Sequence, residues 1–231
     1  MIIGSGFIAN AFKSLYEKNQ DVCIYAAGVS NSRCEELSEF IRDQVLLEKS
    51  LSGLNNDELF VYFSTCSVGS MAPIFSSLYI DHKKRMEELV GNYQKHLIIR
   101  VPQLAGSSKN NFTLLNYFRN QIQSGKSFQA LLNGTRNILD IEHLASIAHD
   151  VVKGYSGNLT LNIANPISVS VPEILFELEA VLKKKSVCEF IDGSQDNYYI
   201  DVTEMIDRVD ISKYHFDKSY LSRVIQKYYG V

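Results

Sequence analysis

The chain has 231 residues, of which 45% are hydrophobic and 21% are charged, and its net charge is −3 at pH 7. This length and composition are typical of a soluble globular protein with a substantial core and one or two domains. The negative charge argues against a nucleic-acid partner, which would require a basic surface. The sequence has neither a targeting segment nor an apolar run near the ~20 residues that span a bilayer. We therefore expect a cytoplasmic protein with no membrane partner.

The cysteines and histidines give no sign of a metal site. None of the four cysteines or five histidines has the paired spacing that zinc ligands require, so we expect no metal. Cys66 is a conceivable thiol nucleophile, which would make the protein a hydrolase or transferase. That hypothesis requires a histidine brought close by the fold, because none lies near Cys66 in sequence.

The first hundred residues contain four predicted strands that alternate with three predicted helices. The strands lie at 1–3, 21–27, 58–64 and 96–101, and the helices at 7–19, 34–54 and 79–93. The helix at 34–54 repeats apolar residues at helical spacing, namely Leu37, Phe40, Ile41, Val45 and Leu46. Alternation of strands and helices predicts an α/β fold, a Rossmann-like and mostly parallel sheet with helices on both faces. Its carboxyl rim would be the ligand site.

The second half of the chain has a looser pattern. Helices are predicted at 110–125, 139–155 and 170–185, with one strand at 159–165. Ser170 is a candidate N-cap with Pro172 in the first turn. We expect residues 1–106 to form a shortened dinucleotide-binding region. Residues 107–231 would complete the sheet and form a small C-terminal substrate lobe.

A glycine motif follows the first strand directly. Residues 4–9, Gly-Ser-Gly-Phe-Ile-Ala, match G-x-G-x-x-[G/A] between a strand and a helix. Glycines allow a tight turn and close approach of a pyrophosphate, and the helix N-terminus supplies N–H donors. The motif predicts a cofactor site at Gly4, Gly6, Phe7 and Ile8. The alternative is a tight turn that binds nothing.

The acid that should hold the adenosine ribose is missing from its usual place. It is expected about 20 residues after the motif, at the end of the second strand. That strand ends instead with Ala26, Ala27 and Gly28, and Asp21 precedes it. Only three strands fit between the glycine motif and Thr65, so the part of the sheet that receives adenosine is reduced.

Thr65, Tyr79 and Lys83 form a candidate catalytic set. Thr65 ends a predicted strand, and Tyr79 and Lys83 lie four residues apart on a helix, where they share one face. An ammonium beside a phenol favours the phenolate, which can accept a proton from a substrate hydroxyl. A second Tyr-x-x-x-Lys pair, Tyr214 and Lys218, has no such surroundings and is interpreted as chance. The alternative for Tyr79 is a half-buried aromatic on an amphipathic helix.

The order of these features resembles the extended short-chain dehydrogenase/reductase superfamily, the NAD-dependent nucleotide-sugar epimerases and dehydratases. The resemblance also includes the strand end RVPQLAG at 100–106 and the segment RNILDIEHLA at 136–145. It implies that Lys83 also binds the nicotinamide ribose. Val68, three residues after Thr65, matches a valine that the superfamily places there. The resemblance therefore implies that Thr65, rather than Ser64 or Ser67, holds the substrate oxygen. The remaining implied contacts are Ala26, Ala27, Gly28 and Pro102 for the cofactor, and Ser67, Gln103 and Arg136 for the substrate.

The implied function is an NAD(P)-dependent epimerase, dehydratase or ketoreductase that acts on a nucleotide-activated sugar, with NAD or NADP as cofactor. Such an enzyme would serve polysaccharide biosynthesis and could form a homodimer. Cys66 and Ser67 stand where dehydratases of this superfamily carry an acid pair, so epimerisation or keto reduction is favoured over elimination. Strand 21–27 resembles the superfamily's fourth strand, which implies that its second and third strands are absent. The alternative function is a non-catalytic binding or regulatory protein that has lost the adenosine-ribose site.

Overall fold

The computed structural model describes residues 1–69, 77–108, 110–111, 113–192 and 199–230. Its strands are β1 (Ile2–Ile3), β2 (Val22–Tyr25), β3 (Leu59–Thr65), β4 (His96–Val101), β5 (Gln103–Ala105), β6 (Ser127–Leu131), β7 (Thr135–Arg136), β8 (Ile138–Asp140), β9 (Leu159–Asn162), β10 (Val169–Ser170) and β11 (Val187–Ile191). Its helices are α1 (Phe7–Tyr16), α2 (Leu37–Ser52), α3 (Leu78–Gly91), α4 (Leu114–Ser124), α5 (Ile141–Lys153), α6 (Val171–Leu182), α7 (Thr203–Arg208) and α8 (Tyr220–Tyr229).

The central sheet is parallel and has five strands in the order β1-β2-β3-β4-β9. The predicted Rossmann-like α/β class is confirmed, and β9 comes from the second half of the chain. β2 lies directly beside β1, with Ile2 opposite Ile24. Among the described residues, no strand pairs with the other edge of β1. This arrangement agrees with the shortened sheet that the sequence predicts.

Helices cover both faces of the sheet. On one face, Phe12 of α1 and Leu144 of α5 pack against Val61 and Ile99 of the sheet. On the other, Leu47 of α2 and Met86 of α3 pack against the opposite side of the same strands. Since both faces are buried, the central strands are apolar along most of their length. No helix in the described part of the chain is long and apolar enough to cross a membrane.

A smaller lobe packs around α4, α6 and α8, which share a second apolar core that includes Phe118, Leu175 and Val224. Three two-stranded pairs, β5–β8, β6–β11 and β7–β10, connect this lobe to the sheet region. The sequence analysis missed these strands because each has only two to five residues. The Ser170 cap was predicted correctly, and Glu173 completes a capping box with it.

The buried face of α2 differs from the one that the apolar pattern indicates. Phe40, Asp43 and Leu47 are the buried residues of this helix. Leu37, Ile41 and Val45 are instead 58–65% exposed. The predicted helix is present, but its apolar repeat does not coincide with its buried face, on which Asp43 is a charged residue.

The glycine turn between β1 and α1 depends on one residue. Gly4 has a φ of +121°, and a β-carbon at this position would lie 2.5 Å from the carbonyl oxygen of Ala26. A β-carbon at Gly6 would meet no atom within 4 Å. Only glycine adopts the conformation of Gly4 without strain, so the close approach of the turn to the end of β2 requires it.

We expect Gly4→Ala to lower the free energy of unfolding by about 1–3 kcal/mol, through backbone strain and the clash with Ala26. The matched control Gly6→Ala should cost at most about 1 kcal/mol, because it only replaces the N-cap residue. Urea denaturation followed by circular dichroism measures both. Equal losses in the two variants would contradict this account of the turn.

Candidate active site

A cleft of about 900 Å³ opens at the carboxyl ends of β1, β2, β3 and β4. This is the rim where open α/β sheets bind ligands. Every site residue that the sequence predicts lines it except Arg136, namely Gly4, Gly6, Phe7, Ile8, Ala26, Ala27, Gly28, Thr65, Ser67, Tyr79, Lys83, Pro102 and Gln103. The fold thus gathers residues that are up to about a hundred positions apart in the chain.

Thr65, Tyr79 and Lys83 all line this cleft. The hydroxyl of Thr65 accepts a hydrogen bond from the Ser67 N–H at 3.2 Å, which fixes the short turn after β3. A hydroxyl that accepts one hydrogen bond can still donate another. Tyr79 lies in the first turn of α3, and the Nζ of Lys83 is 5.8 Å from the centre of its ring. The pair therefore shares one face of the helix.

The second Tyr-x-x-x-Lys pair has no comparable arrangement. Tyr214 ends a short turn at Ser212–Tyr214, whereas Lys218 precedes α8, so the two do not share a helix. The hydroxyl of Tyr214 bonds to Ser146 at 2.9 Å. Neither residue lines the cleft.

Lys83 is almost completely buried beneath the cleft. Its side chain is 3% exposed, and its Nζ donates to the hydroxyl of Tyr62 at 3.3 Å. Burial lowers the pKa of Lys83, and the negative charges of Asp43 and Glu87 oppose this shift. Burial also raises the pKa of Tyr62, which keeps that hydroxyl protonated.

Asp43 is a buried acid beside Lys83 that the sequence analysis missed. Its Oδ1 accepts from the Tyr25 hydroxyl at 2.8 Å, and its Oδ2 accepts from the Val29 N–H at 3.0 Å and from His82 Nε2 at 2.9 Å. Burial alone would raise the pKa of Asp43. The hydrogen bond from His82, the charge of Lys83 and the two other hydrogen bonds together hold it below its usual value. The carboxylate is therefore ionised in the interior.

The spacing of α2 carries a signal for this acid. Asp43 lies three residues after Phe40 and four before Leu47, so it shares their face of the helix. A charged residue on a buried helix face is rarely tolerated without partners. That pattern could have identified Asp43, but the more numerous exposed apolar residues of α2 obscured it.

The glycine turn supplies an anion-binding end to the cleft. Gly6 is the N-cap residue of α1, and no side chain in the described part of the protein caps this helix. Its first N–H groups are therefore available to a ligand, together with the positive end of the helix dipole. Among the residues described, no cluster of His, Cys, Asp and Glu could hold a metal ion.

Arg136 is the predicted site residue that the structure does not bring into the cleft wall. It lies on β7, where Nη1 donates to the Thr135 carbonyl at 2.6 Å. The next residue, Asn137, accepts a backbone hydrogen bond from Gln103, which does line the cleft. Arg136 is thus next to a residue that bonds to the cleft wall, and it does not line the cleft itself.

Arg100 and Cys66 have structural roles. The guanidinium of Arg100 makes a bidentate pair with Glu87, at 2.9 and 2.6 Å, as expected for an ion-pair residue. Cys66 packs into the core behind the sheet and is 2% exposed, and burial raises the pKa of its thiol. A buried, protonated thiol is not a nucleophile, so the structure contradicts the hydrolase or transferase hypothesis.

Comparison of the chain with known proteins identifies its fold. No protein-family model matches the sequence, and no curated protein matches it. Many solved structures do match, including the UDP-N-acetylglucosamine 4-epimerase from Bacillus cereus. That enzyme is 18% identical with a TM-score of 0.70, and the match covers 97% of this chain and 82% of the enzyme.

Two further structures extend the comparison. The dTDP-glucose 4,6-dehydratase from Bacillus anthracis, solved with NAD, is 18% identical with a TM-score of 0.69, over 96% of this chain and 77% of the other. RMD from Pseudomonas aeruginosa, solved with NADPH, is 15% identical with a TM-score of 0.68, over 90% of both chains. The resemblance predicted from the sequence is confirmed at the level of the fold. This chain shares its fold with these solved structures, among them a nucleotide-sugar epimerase and a nucleotide-sugar dehydratase.

Proposed function

We propose that the protein is an NAD(P)-dependent enzyme that epimerises or reduces a nucleotide-activated sugar. The observation that carries this proposal is that Thr65, Tyr79 and Lys83 line the same cleft as the glycine turn. Structures with the same fold were solved with NAD, NADPH or UDP-glucuronic acid. That likeness supports the proposed class of reaction. The roles of individual groups are argued from the residues of this chain.

The residues present fit a nicotinamide dinucleotide. Gly4, Gly6 and the uncapped start of α1 would hold its pyrophosphate, with Phe7 and Ile8 beside it. Ala26, Ala27 and Gly28 leave room at the end of β2, and Pro102, directly after β4, also lines the cleft. Lys83 would bind the nicotinamide ribose. When bound, the nicotinamide supplies a hydride acceptor or donor.

The proton transfer would belong to Tyr79. As a phenolate it accepts the proton of the sugar hydroxyl while hydride leaves the same carbon, and it returns the proton when the ketone is reduced. The charge of Lys83, 5.8 Å from the ring centre, favours the phenolate. Thr65 would hold the substrate oxygen beside Tyr79 through its hydroxyl proton.

The substrate would enter from the side of the smaller lobe. Ser67 and Gln103 line the cleft and would contact the sugar. Arg136, whose neighbour Asn137 bonds to Gln103 of the cleft wall, is the proposed partner of the nucleotide diphosphate. A guanidinium binds phosphate oxygens in pairs. No carboxylate follows Thr65 directly, which favours epimerisation or keto reduction over elimination.

We also propose that the protein forms a homodimer through α2. Leu37, Ile41 and Val45 are spaced four apart and form one exposed apolar stripe. In a two-fold dimer the same surface of each copy faces the other, so the apolar stripes of two copies can bury each other. The stripe lies on the opposite side of α2 from Asp43 and Leu47 and leaves the cleft open.

We expect the protein to bind NADH or NADPH saturably in the micromolar range. A titration with each cofactor, monitored by the fluorescence of the reduced nicotinamide, measures this binding. Tyr79→Phe should bind the cofactor as tightly as the wild type, because the lost hydroxyl serves the substrate. Its turnover with the nucleotide sugar that the wild type converts should fall by at least ~100-fold.

The control for this experiment is Tyr214→Phe, which removes the same hydroxyl from the other Tyr-x-x-x-Lys pair and should leave turnover unchanged. Full turnover by Tyr79→Phe would disprove its role as the acid/base. Absence of binding at about 1 mM cofactor would instead favour a non-catalytic binding or regulatory protein.

Sedimentation should give the mass of a dimer for the wild type at micromolar concentration. Ile41→Glu places a charge at the centre of the apolar stripe and should give a monomer. The matched control is Phe176→Glu on α6, which changes an equally exposed apolar residue away from the stripe and should remain dimeric. A monomeric wild type would rule out the dimer.

A further inference from the structure

We propose that Asp43 is the buried counter-ion that keeps Lys83 charged, and that it acts as a positioning residue for the Tyr79–Lys83 pair. The effect on catalysis rests on the function proposed above. The electrostatic coupling of Asp43 to Lys83 does not, because it is a property of the protein without any ligand.

The first observation is the environment of Asp43. Its side chain is 1% exposed, and three donors from different elements surround it: Tyr25 at the end of β2, Val29 in the following loop and His82 on α3. A carboxylate so deeply buried is stable as an anion only because these groups donate to it. The interior therefore contains a fixed negative charge between α2 and α3.

The second observation is that Lys83 borders the same small volume, directly beneath Gly28. A β-carbon built on Gly28 would lie 2.9 Å from Lys83 Nζ and 3.3 Å from Asp43 Oδ2. The ammonium and the carboxylate thus both lie close to one point. Gly28 is the residue whose lack of a side chain leaves room for both, and it also lines the cleft.

The third observation is the set of other groups around Lys83. Tyr62 accepts its hydrogen bond, and the rings of Tyr62 and Tyr79 lie 5.3 and 5.8 Å from its Nζ. The remaining acid that affects Lys83 is Glu87 on the same helix, and the charge of Glu87 is matched by its bidentate pair with Arg100. Asp43 is therefore the dominant negative charge that opposes the desolvation of Lys83.

The consequence has a definite sign. Burial favours the neutral amine, and the Asp43 charge favours the ammonium, so loss of that charge must lower the pKa of Lys83. Lys83 would then lose its proton at a lower pH. A neutral amine no longer favours a phenolate at Tyr79, so proton transfer would decline at a lower pH as well.

Asp43→Asn tests this directly. Lysine side chains labelled with carbon-13 at Cε report protonation by NMR, and the Lys83 signal is assigned by its loss in Lys83→Gln. We expect Asp43→Asn to move the Lys83 titration down by at least ~1 pH unit. Tyr25→Phe is the matched control: it removes the hydrogen bonds from this hydroxyl to the Asp43 carboxylate and carbonyl but keeps the negative charge, so it should move the titration far less. An unchanged titration in Asp43→Asn would overturn the proposal.

If Asp43→Asn does not fold, the same NMR measurement on the wild-type protein tests the proposal. Lys83 must be an ammonium at pH 7 despite its burial, and a neutral amine there would overturn the proposal.

The pH profile separates a counter-ion from a merely structural residue. In folded Asp43→Asn, the pH above which NADH binding and turnover decline should fall by the same amount as the NMR titration. If NADH binding and turnover instead fell equally at every pH, Asp43 would only stabilise the β2–α2 loop. That result would contradict the proposal. A wild type that binds no cofactor would refute the proposed enzyme, and the NMR titration would still decide the role of Asp43.

Discussion

The direct pairing of β1 with β2 is the constraint on which the cleft depends. The Ala26 N–H donates to the Ile3 carbonyl at 2.8 Å, and this bond places the glycine turn against the end of β2. Gly4 then has no room for a side chain. Because β3 and β4 continue the sheet in parallel, all four carboxyl ends reach one rim, and residues from distant parts of the chain surround one cavity. The pairing also leaves β1 at the edge of the described sheet.

Beneath that rim the protein holds an unusually polar interior. Asp43, His82 and Lys83 are each less than 8% exposed, and the hydroxyls of Tyr25 and Tyr62 bond to Asp43 and Lys83 respectively. A network of this kind is favourable only when every member has a partner. The tyrosines satisfy that condition by presenting apolar rings to the core and hydroxyls to the charges. The cleft floor is thus fixed by electrostatics as well as by packing.

The sequence predicted the sheet and the cleft well because both follow from local patterns. Apolar runs give the strands, the glycine motif gives the turn, and the parallel rim collects their ends. The shortest strands outside the central sheet could not be predicted, since two or three residues such as Thr135–Arg136 carry no periodicity. The buried face of α2 does not follow from its apolar residues, for a different reason. Its exposed residues are the more apolar ones, and Asp43 is buried only because partners from β2 and α3 meet it.

The burial of Lys83 has a further consequence for how a ligand would be received. Lys83 loses its water shell when the chain folds. The free-energy cost of that desolvation therefore lowers the stability of the folded protein. A hydroxyl that enters the cleft meets an ammonium that is already dry and oriented, and neither group has to reorganise. The folded protein is thus less stable, but its cleft contains a preorganised electrostatic field at Lys83. This is the usual relation between stability and activity.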